Sequence, residues 1–343
     1  MALLASSNLG AALQQFERAT AEDPGFYGAH YNVAALYAAQ GEPAKAEAAY
    51  RKALELKPTY GPAAAGLALL WQNDPAKLPQ AESFLRAHLA KAESPEARAA
   101  LAQLLARTGR LDEAHSQAIE VLHHDERSAG AMLALGMAYR RQGKFELGQL
   151  ALNQALEVDP TLGEAYNELG LVFLAQKDKA KAVQAFEKAA QARPRVAAIL
   201  NNLGVLQTEV GAFKAAVSSL QGATALEPGR AEYALNLGNA LRGDQQYVEA
   251  EAAYQKALAA GNVDALFNLG VLYLDNELPG KDVVTRYRTC MRYLDEYRDK
   301  AGAAADPARL DEYRATAQKA IDSEEKRQAR DRQRAERDAK EAA

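Results

Sequence analysis

Apolar residues recur along this chain at spacings of three and four rather than two, which predicts helices throughout and no half-buried strands. Between residues 195 and 229, Leu200, Leu203, Gly204 and Gln207 share one stripe of a first helix, and Gly211 ends it. Ala216, Leu220 and Ala223 form the stripe of a second helix, which Pro228 stops. The unit reads as a helical hairpin.

The pattern repeats along most of the chain. Leu135-Gly136, Leu169-Gly170, Leu203-Gly204 and Leu237-Gly238 are each 34 residues apart, and Leu269-Gly270 follows after 32. Ala46, Ala114, Ala182, Ala216 and Ala250 keep one phase of this period, and Pro24, Pro58, Pro160, Pro194 and Pro228 keep another. Between them lie an aromatic residue or Leu (Phe16, Tyr50, Phe186, Leu220, Tyr254) and then a small residue (Ala19, Ala53, Ala189, Ala223, Ala257). A period of this length marks stacked units, each burying its stripe against the next. Glycine inside a helix costs about 1 kcal/mol relative to Ala, so glycines at one phase imply a close approach, expected here between Gly204 and Ala216.

The segments LGMAYRRQGKFELGQLALNQALEVDP and LGLVFLAQKDKAKAVQAFEKAAQARP carry the Leu-Gly, Ala-x-x-x-Phe-x-x-Ala and closing Pro positions by which the chain resembles the tetratricopeptide repeat family. The resemblance implies an all-α, right-handed superhelical α-solenoid whose first helices line a concave groove that holds other polypeptides. The ruler divides the chain into a partial first unit over 1–26 and eight hairpins at about 27–60, 61–94, 95–128, 129–162, 163–196, 197–230, 231–262 and 263–300. A capping helix is expected over 306–322, bearing Leu310, Tyr313, Ala317 and Ile321, and a charged, solvated helical tail over 323–343. The second helix of the last hairpin should bury Val283, Tyr287, Cys290, Met291, Leu294 and Tyr297. Irregularity is expected near Asn73-Asp74-Pro75, where the third unit holds an extra residue. The ruler also places Met1 inside a first helix, so a longer native protein is expected, upstream of which a signal, a lipid anchor or another domain could stand.

Composition narrows the function. With 25% charged and 48% hydrophobic residues the chain is apolar enough to fold, and its net charge of -4 supplies no field for phosphate backbones. The expected partner is therefore a protein or peptide segment, not nucleic acid. No stretch is apolar enough to insert in a membrane. The single cysteine, Cys290, excludes a disulfide framework and a multi-cysteine metal site. Neither a phosphate loop nor a Ser/His/Asp constellation is present, and His123-His124-Asp125-Glu126 reads as an exposed turn. No cofactor, metal or catalysis is expected. Alanine richness and an excess of Arg over Lys point to a GC-rich bacterial genome. Compartment and oligomeric state are not fixed by these residues: the periplasm or outer membrane if a signal has been removed, otherwise the cytoplasm.

Helical geometry singles out one face. Ala198, Asn202, Val205 and Glu209 lie opposite the hairpin stripe of their helix. Leu69, Met137, Leu171 and Val271 share the phase of Val205 and make an apolar row, the kind of surface that marks a contact. Asn239 stands at that phase in its own unit. Asn32, Asn202, Asn236 and Asn268 recur just before the Leu-Gly position, and an amide that both donates and accepts suits a peptide backbone. This resembles the asparagine ladder of the O-linked N-acetylglucosamine transferase superhelix. Replacing Asn202, Asn236 and Asn268 together by Ala is expected to weaken partner binding without lowering stability. Glu164, Glu168, Glu209, Glu232, Asp264 and Asp275 would favour a basic partner, while Arg107, Arg140 and Arg141 sit mid-array. The leading reading is an adaptor or scaffold. The alternatives are a structural subunit of a bacterial envelope, secretion, pilus or motility assembly, and the interaction domain of a longer enzyme.

Overall fold

The computed structural model describes residues 9–72 and 74–341. The expected broken first helix at Met1 and the inserted Asn73 lie outside these residues. Among the described residues there are eighteen α-helices and no strands. They run α1 (Leu9–Glu22), α2 (Tyr27–Ala39), α3 (Pro43–Leu56), α4 (Gly61–Trp71), α5 (Leu78–Leu89), α6 (Pro95–Thr108), α7 (Leu111–His124), α8 (Ala129–Arg141) and α9 (Phe145–Val158). Next come α10 (Gly163–Ala175), α11 (Lys179–Ala192), α12 (Ala197–Glu209), α13 (Phe213–Leu226), α14 (Ala231–Gly243), α15 (Tyr247–Ala259), α16 (Asp264–Asp275), α17 (Val283–Ala301) and α18 (Pro307–Glu341). Two α-helices fall within each of the first seven hairpin ranges above, and α16 with α17 spans 264–301. No helix among the described residues is long and apolar enough to cross a membrane.

The chain forms two compact units, residues 1–199 and 200–343. In each, helices pack on their sequence neighbours. The hairpins begin and end by familiar local chemistry: the hydroxyls of Ser94 and Ser128 and the carboxylates of Asp178 and Asp282 accept from the first-turn N–H groups of α6, α8, α11 and α17. The turn between paired helices demands left-handed backbone at one phase. Gly109, Gly143 and Gly211 supply it, and Lys177 and Gln245, at the same phase, adopt φ of 63° without being glycine.

The repeat glycines face a different residue from the one expected. A Cβ at Gly204 would lie 2.5 Å from Leu220 Cγ, one at Gly170 would lie 2.5 Å from Phe186 Cε1, and Gly136 and Gly238 meet Leu152 and Tyr254 in the same way. The large side chain of the second helix, sixteen residues on, thus uses the missing side chain of the first helix as its socket, and Leu152, Phe186, Leu220 and Tyr254 are all fully buried. Ala216 is not the residue that the socket receives. It is buried beside it, where a small residue lets the backbones approach.

In the second unit one core runs from Ala216 through Tyr254, Leu266, Leu269 and Tyr273 to Cys290, Leu294, Leu310 and Ala317. The α17 stripe is shorter than expected: Val283 is exposed at the first turn, and Tyr293 joins Cys290 and Leu294 in the core instead. Helix α18 closes this core with Leu310, Ala317 and Ile321, and it continues unbroken for 35 residues into its charged segment. Arg288 pairs with Glu325 at 2.9 Å where α17 and α18 run side by side.

Candidate partner-binding face

The residues proposed to face a partner all lie on first helices. In the first unit they are Asn32 on α2, Leu69 on α4, Met137 and Arg141 on α8, and Leu171 on α10. In the second they are Asn202 and Val205 on α12, Asn236 and Asn239 on α14, and Asn268 and Val271 on α16. Leu69, Met137, Leu171 and Val205 are half-buried, and Val271 is buried. Leu69 and Met137 pack on the core of the first unit. The apolar row therefore serves packing as well as any surface role, because successive first helices stack on one another and cover part of the stripe opposite their hairpin partner.

The asparagines of the second unit are joined to one another. Asn236 Nδ2 donates to Asn201 Oδ1 at 2.9 Å, across from α14 to α12. Asn268 Nδ2 donates to Asn239 Oδ1 at 3.3 Å, and the same oxygen accepts from the Tyr254 hydroxyl at 2.9 Å. Burial pushes that hydroxyl up to about 12, so it remains a donor at neutral pH. Asn201, buried at 6% exposure, is a member of this network that the 34-residue ruler misses, since it stands 35 residues before Asn236. The expectation that Asn236 and Asn268 could be replaced without loss of stability needs correction. Each hydrogen bond across helices contributes about 0.5–1.5 kcal/mol, and removal of Asn236 also takes the donor from the buried Asn201 Oδ1.

Charges on the same helices are sorted by unit. In the first, Arg140 Nε donates to Glu168 Oε2 at 2.7 Å, and Arg193 pairs with Glu164 at 3.2 Å. Arg141 Nη1 donates to the carbonyl of Ala106 at 2.8 Å and to that of Arg107, so its cation sits on the partially negative carboxyl end of α6. In the second, Glu209, Glu232, Asp264 and Asp275 are exposed. No group of three or more His, Cys, Asp or Glu side chains able to hold a metal occurs among the described residues. Burial pushes the Cys290 thiol up to about 12, far from a reactive thiolate.

An all-helical array of 34-residue hairpins with glycine sockets on the first helices defines a repeat protein of the interaction-scaffold class. Tetratricopeptide repeat models match residues 133–197, 201–265, 235–281 and 27–60. The chain belongs to the tetratricopeptide repeat family. No curated protein sequence matches it. Among solved structures it is similar to the chain described as an APC/C Cut9-Hcn1 hetero-tetramer, at 16% identity and a TM-score of 0.67, covering 91% of this chain and 60% of that one. This protein therefore spans less than two thirds of that relative. It is also similar to human IFIT1, a dimer with m7Gppp-AAAA, at 19% identity and a TM-score of 0.58, covering 82% of this chain and 72% of that one. Similarity to Pseudomonas aeruginosa pilF gives 20% identity and a TM-score of 0.53, covering 64% of this chain and 96% of that one. At these identities the likeness concerns the fold.

Proposed function

We propose that this protein is a scaffold that holds an extended segment of a partner polypeptide along the first helices of its second unit. The observation that carries the reading is the amide row: Asn201, Asn236, Asn239 and Asn268, from three successive first helices, lie within hydrogen-bond reach of one another in pairs. Amides held at fixed positions offer donors and acceptors to a peptide main chain whatever its side chains. The exposed Glu209, Glu232, Asp264 and Asp275 favour a segment carrying Lys or Arg. A protein ligand is preferred to nucleic acid because the net charge is -4 and Arg140 and Arg141 already serve Glu168 and the α6 carbonyls. The role is binding rather than catalysis.

A photo-crosslinking residue at Val205 tests this. The crosslinked partner segment is identified by mass spectrometry and its peptide titrated against the parent chain and an Asn239→Ala variant. The expected result is a crosslinked peptide whose affinity falls several-fold in the variant. Crosslinks that fail to form at Val205, or an affinity indifferent to Asn239, would remove the reading.

A second reading, a structural subunit of a larger assembly, is favoured by Leu147 and Leu150 on α9, which are 46% and 55% exposed one helical turn apart. Replacing both by Glu would dissolve such an assembly while leaving the isolated chain folded.

A further inference from the structure

Two turns of the first unit that are distant in sequence meet in space. Arg195, in the turn after α11, donates from Nη1 to the carbonyl oxygen of Gln40 at 2.5 Å, and Gln40 is the residue that ends α2. The stem of Arg195 lies over Gly41, where a Cβ would find Arg195 Cδ at 3.8 Å and Cβ at 4.0 Å. Arg193, from the same turn, makes its positive charge felt at Tyr50 on α3: burial raises that hydroxyl and Arg193 pulls it back. The hairpins from α2 to α11 lie between these two points, so the first unit is a run of packed pairs whose ends touch.

The chemistry of the contact is a cation on the carbonyl end of a helix, where unpaired C=O groups carry partial negative charge. Arg141 makes the same contact on α6, but from α8, a helix that packs directly on α6. Arg195 makes it across 155 residues, with an exposed side chain on a half-buried acceptor residue. A contact of that kind can be broken without unpacking a core.

We propose that the turn Arg193-Pro194-Arg195 is a latch: the first unit exchanges between a closed form, held by Arg195 on the end of α2, and an open form in which that bond is broken and the inward side of the run is accessible. This device is independent of whether the amide row of the second unit binds a peptide.

Spin labels at Glu42→Cys and Ala198→Cys, with Cys290 left in place because it is fully buried, report the seam by pulsed electron resonance. The parent is expected to show one dominant short distance. Arg195→Ala should add a longer population, with the open-to-closed ratio rising on the order of tenfold, the usual effect of losing a hydrogen bond made by a charged group. Identical distributions with and without Arg195, or no dominant short distance in the parent, would overturn the latch.

Discussion

Gly204 lies under Leu220 so closely that a single added carbon on the glycine would stand 2.5 Å from Leu220 Cγ. Both residues belong to one hairpin, Gly204 on α12 and Leu220 on α13, and Leu220 is fully buried. The pair shows how a destabilising residue in a helix is offset: the backbone cost of glycine is met by the burial of a whole leucine side chain.

Gly204→Ala should therefore destabilise the chain by about 1–3 kcal/mol through overpacking, seen as a lower melting temperature. Coupling to Leu220→Ala is the sharper test. If the socket is real, the double variant loses less than the sum of the two single variants. Additive losses would mean that the two residues do not touch.

Lys177 and Gln245 hold the left-handed turn that glycine occupies at Gly109, Gly143 and Gly211. A side chain in that conformation costs about 1–2 kcal/mol, and the greater freedom of glycine in the unfolded chain returns part of it. Lys177→Gly should stabilise by about 0.5–1 kcal/mol, whereas Gly143→Lys should destabilise. Chemical denaturation of both variants checks the opposite signs.

His88 occupies the small-residue position of α5 that Ala53, Ala155, Ala189, Ala223 and Ala257 hold elsewhere. It is 6% exposed, and its Nε2 has no hydrogen-bond partner among the described residues. Burial, helped by the charge of Lys91, holds its pKa below the ordinary 6.5. The unfolded chain therefore takes up a proton that the folded chain resists, so stability is full above about pH 6.5 and falls as pH drops below it. His88→Ala should flatten the dependence between pH 5 and 7, read from melting temperatures across that range.

Cys290 should be inert toward thiol reagents in the folded chain, because burial removes it from solvent and pushes the thiol up to about 12. Labelling is expected to follow unfolding in denaturant, with the same midpoint as the loss of helix. Rapid labelling of the native chain would show that α17 does not pack as described.

The hairpin architecture was legible because periodicity fixes the angle of each residue around its own helix. Leu200, Leu203 and Gly204 point toward one side whatever the neighbours do, and Gly211 and Pro228 stop helices for reasons internal to the backbone. Contacts between repeats were not legible in this way. A ruler of 34 residues pairs Asn202 with Asn236, yet the bond runs from Asn236 to Asn201, one residue aside, because stacked helices are offset and rotated. Val271 shares the phase of Val205, but it is buried while Val205 is half-buried. Small size at both positions suggests that Gly204 faces Ala216, whereas the length of the leucine side chain decides what reaches the socket. The contact of Arg195 with Gln40 spans 155 residues and leaves no periodic trace at all.

In the hairpins of Gly136, Gly170, Gly204 and Gly238 the socket is filled from inside the hairpin at the same offset along the chain, so each of these modules carries its principal lock with it. Deleting or duplicating one such module need not invent new complementarity. The length of the array can change by whole steps in evolution or by design while the fit within each step stays as it was.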